Sequence, residues 1–235
     1  MILPDLVLPS RRNQHLNYTG LDDLARSPNP EYFNNYPWPI SYTFNSRGFR
    51  DLEWPTTVDE LKNCIWCIGD SFTVGVGVPL EHTWPRQLET ATGLRTINVS
   101  MDGASNNWIA RRAKHILDTV DPCHMVVHWS FLHRREKPDV LLNDEQRRLY
   151  NVKCSMQDDI DNFAWCLQQI SDRKNVIHSF IPEFAPVEQI PQIQSLLQNL
   201  VHVPYFTAQD RGRDSLHYDI VTAQYFVKQL VVKLA

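Results

Sequence analysis

The 235-residue chain has no apolar run long enough to cross a bilayer, which excludes a helical membrane span. It also lacks a basic surplus: 23 Lys+Arg stand against 27 Asp+Glu, a formal charge of −4. A general nucleic-acid binder normally presents a basic domain, so no nucleic-acid partner is expected. The five cysteines, Cys64, Cys67, Cys123, Cys154 and Cys166, are odd in number and irregular in spacing. They do not make a disulfide framework and read as reduced thiols in a reducing compartment. The opening stretch MILPDLVLPSRR lacks the form of a secretory signal. Its apolar part is short, broken by prolines, and followed rather than preceded by positive charge, so the expected location is cytoplasmic. Internal repeats and low-complexity tracts are absent as well. What is present is an ordinary globular composition, 43 % hydrophobic and 21 % charged, in a chain long enough to bury a core without staples.

Residues 1–60 differ from the rest. They carry Pro4, Pro9, Pro28, Pro30, Pro37, Pro39 and Pro55, many aromatics and little helical periodicity. They read as an irregular arm, with one short strand near 41–45, packed on a main domain of residues 61–235. In the main domain, apolar runs alternate with amphipathic ones. Strands are expected at 64–68, 94–99, 124–130, 175–181 and, more weakly, 202–206. Helices are expected between them: TWPRQLETATG stopping at Gly93, 105–120 with Ser105 as its cap and Asp121-Pro122 as its end, 158–171, QIQSLLQNL, and the closing DIVTAQYFVKQLVVKL. Such repetition means an α/β fold, a three-layer α/β/α sandwich around a mostly parallel five-stranded sheet of flavodoxin-like type.

Ligands of such sheets sit beyond the carboxyl ends of the strands. After the first strand comes Gly69-Asp70-Ser71-Phe72-Thr73-Val74-Gly75, and after the second Ser100-Met101-Asp102-Gly103-Ala104-Ser105. The third is followed by Ser130-Phe131-Leu132-His133-Arg134-Arg135, and the last helix is preceded by Asp214-Ser215-Leu216-His217. I-G-D-S-F-T-x-G after a first strand, with D-x-x-H before a C-terminal helix, resembles the SGNH hydrolases, the GDSL esterase/lipase family. Asn98-Val99-Ser100-Met101-Asp102-Gly103 resembles that family's second block, and Asn45-Ser46-Arg47-Gly48-Phe49-Arg50-Asp51 a segment upstream of the serine in some bacterial members. The likeness runs in order over roughly residues 41–235. It implies an SGNH-type fold, a carboxylic ester hydrolase of acyl esters (on carbohydrate, lipid or another small-molecule alcohol), no cofactor, and a backbone N–H from Gly103 in the oxyanion hole.

Chemistry supports the roles independently. A serine hydroxyl needs a base to become a nucleophile, and a neutral imidazole serves near pH 7. A carboxylate on the other ring nitrogen fixes the tautomer. Ser71, His217 and Asp214 are the expected catalytic set; Asp219, the rival carboxylate, is better read as a cap of the last helix. The Ser71 N–H joins Gly103 as an oxyanion donor, and losing one such donor costs about 100–1000-fold in rate.

One departure stands out. The family's third block is G-x-N-D, whose asparagine is the third oxyanion donor, but the region here reads His128-Trp129-Ser130-Phe131-Leu132-His133. The Ser130 hydroxyl, or Asn106 or Asn107 from the neighbouring loop, is a candidate substitute; otherwise the hole is incomplete. Arg134 lies at the ligand edge, where a guanidinium grips anionic groups, although Arg134-Arg135 also reads as a solvated pair balanced by Glu136. Arg111-Arg112 and Arg147-Arg148 read as polar helix faces. No metal is expected. In a strand, Cys64 and Cys67 point to opposite faces about 10 Å apart, and His124 and His128 share a face but are separated by about 13 Å of rise. The expected activity is a serine esterase acting through an acyl-enzyme. The rival readings are an acyltransferase with the same intermediate, a non-catalytic binding module, and a structural or virion-associated protein using the arm for assembly.

Overall fold

The computed structural model describes residues 3–136, 155–181 and 187–234. Arg147, Arg148 and Cys154 lie outside the described residues, as do the first two residues of the arm. The strands are β1 (His15–Leu16), β2 (Tyr42–Thr43), β3 (Ile65–Gly69), β4 (Thr96–Ser100), β5 (His124–Trp129), β6 (Val176–Phe180) and β7 (Val201–His202). The helices are α1 (Pro30–Asn35), α2 (Val58–Lys62), α3 (Ser71–Val74), α4 (Trp84–Thr92), α5 (Asn106–Thr119), α6 (Met156–Gln168), α7 (Pro191–Leu197) and α8 (Ile220–Leu234).

Strands β4-β3-β5-β6-β7 form one sheet in that order, every neighbouring pair parallel. In chain order this is 2-1-3-4-5, the flavodoxin-like winding, whose switch point falls between β3 and β5. Strands β3, β4 and β6 are buried throughout because both faces are covered, with the polar Thr96, Asn98, Ser100, His178 and Ser179 set among their apolar residues, and side chains alternate between the faces. Trp66, Ile68, Val127 and Trp129 pack with Trp108 and Ile116 of α5, Phe163 of α6 and Ile193 of α7. Ile65, Cys67, Val126 and Ile177 pack with Trp84 and Leu88 of α4 and Phe226 and Leu230 of α8. Cys64 and Cys67 thus belong to opposite faces. Each large side chain buried this fully contributes about 1.5–3 kcal/mol relative to exposure.

Local signals set the helix ends. The Ser105 side chain accepts from Trp108 N to start α5, and Gly93 in the left-handed region ends α4. On the edge strand β4, the N–H groups of Thr96 and Asn98 are taken by the carboxylates of Glu89 (2.8 Å) and Asp51 (3.0 Å). That blunts an edge which another strand would otherwise pair with.

Residues 3–60 are more ordered than their composition predicts. β1 and β2 pair antiparallel, with His15 opposite Thr43; strands of two residues are too short to show alternation in sequence. α1 is started by Asn29 as cap with Pro30 at the first position, and α2 by a capping box of Thr57 and Glu60. Leu3, Leu6, Leu8, Phe49 and Trp54 are buried in the same cluster as β3 and α5. The expected fifth strand, 202–206, is reduced to Val201–His202, since Pro204 has no N–H for a ladder.

Candidate active site

β3 delivers the chain to the switch point and turns at once into α3. A Cβ at Gly69 would lie 2.2 Å from Thr73 Oγ1 and 2.7 Å from the His128 carbonyl, so this return requires glycine. Asp70 caps α3, its Oδ1 accepting Phe72 N–H at 3.0 Å. Ser71 is the first residue of the helix, where backbone N–H groups have no intrahelical acceptor. The Asn98 amide donates to Thr73 O at 2.9 Å and ties the short helix to β4.

The segment before α8 folds into a tight turn. Asp214 Oδ1 accepts the N–H of Leu216 (3.1 Å) and of His217 (3.0 Å), with Ser215 between them at φ 57°. Asp219 caps α8, accepting from Thr222 N at 2.7 Å and Val221 N at 3.0 Å. The other Asp214 oxygen accepts from His217 Nδ1, and His217 Nε2 stands 2.7 Å from Ser71 Oγ. These three side chains, from turns 146 residues apart, are 0–3 % exposed. With its proton held at Nδ1 by the carboxylate, the neutral ring presents a lone pair at Nε2 to the serine hydroxyl.

Electrostatics follow from this packing. Burial disfavours the imidazolium, but the Asp214 hydrogen bond and charge, reinforced by Asp102 and Asp70, hold His217 above its ordinary 6.5. For Asp214, burial acts upward, yet the hydrogen bonds and charge of His217 keep the carboxyl below its ordinary 3.8.

Gly103 is buried in the loop after β4, with a left-handed φ of 70°. The other expected binding residues have their polar atoms engaged. Ser130 Oγ donates to Asp70 Oδ2 at 2.5 Å, so its proton points to that carboxylate. The Asn106 amide donates to Phe131 O (3.0 Å) and its oxygen accepts from Ser130 N (2.9 Å), which locks the end of β5 onto α5. Asn107 bridges Asn162 Oδ1 (2.8 Å) and the Glu136 N–H (3.0 Å). Arg134 forms an ion pair with buried Asp70 at 2.9 Å and lies over the Phe131 ring at 4.9 Å. Glu136 does not balance Arg134 and Arg135: it is held by both guanidinium nitrogens of Arg111, and Arg135 faces Asp159 at 3.4 Å. No group of three or more His, Cys, Asp or Glu side chains suited to a metal occurs among the described residues. None of the described helices is long and apolar enough to cross a membrane.

No family model and no curated protein matches the chain. Solved structures similar to it include lipolytic proteins and esterases. TesA is 15 % identical over 73 % of this chain and 97 % of its own, with a TM-score of 0.49. A G-D-S-L family lipolytic protein from Desulfitobacterium hafniense DCB-2 is 11 % identical over 73 % of this chain and 99 % of its own, TM-score 0.49. The psychrotrophic esterase EstA from Pseudoalteromonas sp. is 16 % identical over 73 % and 96 %, TM-score 0.46. At such identities and scores, the site's chemistry has to come from the chain's own residues.

Sequence reasoning gave Asp70 no role, although its position before Ser71 is a helix-cap signal. It also missed Asp22, Tyr42, Arg50 and Arg213, buried polar groups that lie beside the two turns. Arg213 adjoins Asp214 in sequence; nothing local marks Asp22.

Proposed function

We propose that the protein is a serine ester hydrolase. The observation that carries this reading is the unbroken hydrogen-bond path from the Asp214 carboxylate through the His217 ring to the Ser71 hydroxyl. In the first step Ser71 Oγ attacks the acyl carbonyl as its proton passes to His217 Nε2. The oxyanion so formed is held by the backbone N–H groups of Ser71 and Gly103. Collapse expels the alcohol, which takes the proton from His217. Water, deprotonated by the same ring, then attacks the acyl-enzyme and releases the carboxylic acid with Ser71 restored. Asp214 stays ionised throughout; it orients the ring and stabilises the imidazolium.

The substrate class is a small acyl ester whose reactive carbonyl reaches Ser71. With the Ser130 hydroxyl and the Asn106 amide already engaged, the oxyanion hole rests on two main-chain donors. The test is p-nitrophenyl acetate turnover and labelling by a fluorophosphonate probe, in wild type and Ser71→Ala. Wild type should turn over and be labelled at Ser71, and the variant should lose at least about 1000-fold in kcat. Equal turnover in the two proteins, with Ser71 unlabelled, rejects the reading in favour of a binding module.

A further inference from the structure

The two turns that meet at Ser71 and His217 are joined by residues of the N-terminal arm. Asp22 is fully buried and receives two bonds from one guanidinium: Arg213 Nε to Oδ1 at 2.8 Å and Nη2 to Oδ2 at 2.5 Å. Arg213 Nη2 also donates to Asn17 O at 3.1 Å, and its guanidinium lies 4.6 Å from the Phe33 ring centroid. Arg213 immediately precedes Asp214, and its own N–H donates to Gly77 O at 2.8 Å. Gly77 belongs to the loop that follows α3. Its φ is +84°, and a Cβ there would stand 2.9 Å from Asp214 Oδ1.

Tyr42 closes the circuit. Its hydroxyl donates to Asp22 Oδ2 at 2.5 Å and accepts the Gly77 N–H at 2.9 Å. Arg50, 1 % exposed, stacks 4.1 Å from the Tyr42 ring centroid. Its guanidinium donates to the carbonyls of Gly75 (2.5 Å), Val78 (2.9 Å) and Ser41 (3.1 Å). Buried ions of this kind are costly unless paired and held in good geometry. Most of these bonds tie the arm to the loop after Ser71 or to Arg213, the residue before Asp214; Tyr42 to Asp22 and Arg50 to Ser41 brace the arm itself, and the Arg213 N–H to Gly77 O joins the two turns directly.

We propose that Asp22, Tyr42 and Arg50 are positioning residues, which fix the Asp214–His217 turn against the Ser71 turn. The arm is then part of the site and not an assembly segment. This rests on the ester-hydrolase reading above. Because Asp214, Asp102 and Asp70 are the carboxylates that act on the His217 ring, Asp22 works through the position of Arg213 and the backbone behind it. A misplacement of about 1 Å in such a constellation costs on the order of 100-fold in rate.

The experiment compares full-length wild type, Asp22→Asn, Arg213→Lys and Leu117→Ala. Leu117 is a core residue of α5 that takes no part in the bonds named above, and it serves as a control for lost stability alone. Three quantities are read: kcat and KM for p-nitrophenyl acetate, the fluorophosphonate labelling rate, and the NMR titration of the His217 ring. Asp22→Asn should lower kcat by about 10–100-fold with little change in KM. Its His217 should titrate lower, because the bond to Asp214 loosens. Arg213→Lys, which keeps the charge but loses the fork, should fall between it and wild type. Leu117→Ala should leave kcat and the titration as in wild type.

A folded Asp22→Asn with wild-type kcat and titration overturns the proposal, and so does a Leu117→Ala that shifts both. If Asp22→Asn does not fold, Tyr42→Phe, which removes the hydroxyl joining Asp22 to Gly77, takes its place with the same expected directions. A wild type without turnover or labelling sinks the hydrolase reading instead, and the His217 titration in the variants then decides the positioning claim alone.

Discussion

Acidification from pH 7 to pH 5 should cost this fold about 4 kcal/mol through two histidines alone, by protonation linkage. His128 of β5 and His178 of β6 are fully buried on adjacent central strands. Burial pushes His128 down to about 3; burial, with a small addition from His202, does the same to His178. The hydrogen bonds of His128 suit a neutral ring. Nδ1 meets Ser179 Oγ at 2.9 Å, and that hydroxyl gives its own proton to Val127 O, so Nδ1 is the donor. Nε2 is then left to accept from the Tyr218 hydroxyl at 3.0 Å. His178 Nδ1 accepts from the Trp129 indole at 3.1 Å, and its buried Nε2 has no partner among the described residues.

The unfolded rings titrate near 6.5 and the folded ones near 3. Between those values the unfolded state binds more protons, so this contribution is complete above pH 6.5 and lost as pH falls. At pH 5 each ring has lost about 2 kcal/mol relative to pH 7. The sum is a large share of a total stability of about 5–15 kcal/mol. His217, whose folded value is raised, acts with the opposite sign: its contribution is complete below 6.5 and is lost as pH rises. A difference measurement therefore isolates one buried ring of the pair. Urea unfolding of wild type and His128→Asn at pH 7 and pH 5 should show wild type losing about 2 kcal/mol more than the variant over that interval. Equal losses in the two proteins would refute the argument.

Two further outcomes follow from the site and the sheet edge. Because His217 is held above 6.5 and must be neutral to accept the Ser71 proton, kcat/KM should rise with pH through a midpoint above 6.5. In Asp214→Asn the raising charge is gone while burial remains, so the midpoint should move down and the plateau should drop by about 10,000-fold; an upward shift contradicts this account. At the edge of β4, Asp51 is buried and accepts from Asn98 N (3.0 Å), Trp54 Nε1 (3.1 Å) and Arg95 Nη2 (3.1 Å). Asp51→Ala takes the acceptor from these donors and from the Leu52 N–H (2.8 Å), and should cost about 3–5 kcal/mol in urea unfolding; a loss below about 1 kcal/mol means that water replaces the carboxylate.

The parallel sheet was legible in sequence because strands buried on both faces are written as predominantly apolar runs, uninterrupted in Ile65–Gly69 and broken only by histidine in His124–Trp129. The turns were legible because their chemistry is local. Asp214 and His217 are three residues apart and share one hydrogen-bonded loop. The arm was opaque for two reasons. Its elements are as short as two residues, below any periodic signal, and its prolines read as loop although Pro30 opens a helix. Its decisive contact, Asp22 to Arg213, spans 191 residues. Composition also says nothing about which hydrogen bonds are already used. Ser130, Asn106 and Asn107 stand in the expected loops, yet each of their side chains is engaged with other protein groups.

That engagement bears on the absent block-three asparagine. Asp70 precedes Ser71 and is fully buried. Its negative charge favours an imidazolium at His217, but the same charge opposes an oxyanion forming beside Ser71 N–H. Three donors converge on Asp70: Phe72 N at 3.0 Å, Ser130 Oγ at 2.5 Å and Arg134 Nη1 at 2.9 Å. Under the proposed ester-hydrolase reading, the residues after β5 act on the site by compensating a carboxylate, where an asparagine would instead donate to the oxyanion directly. Removing the Arg134 guanidinium leaves the charge of Asp70 less compensated, so in a serine hydrolase built this way Arg134→Leu raises the barrier to acylation without touching the substrate. Arg134→Lys, which restores the charge but not the fork, separates the two contributions: recovery of most of the rate assigns Arg134 to electrostatic compensation, and no recovery assigns it to geometry.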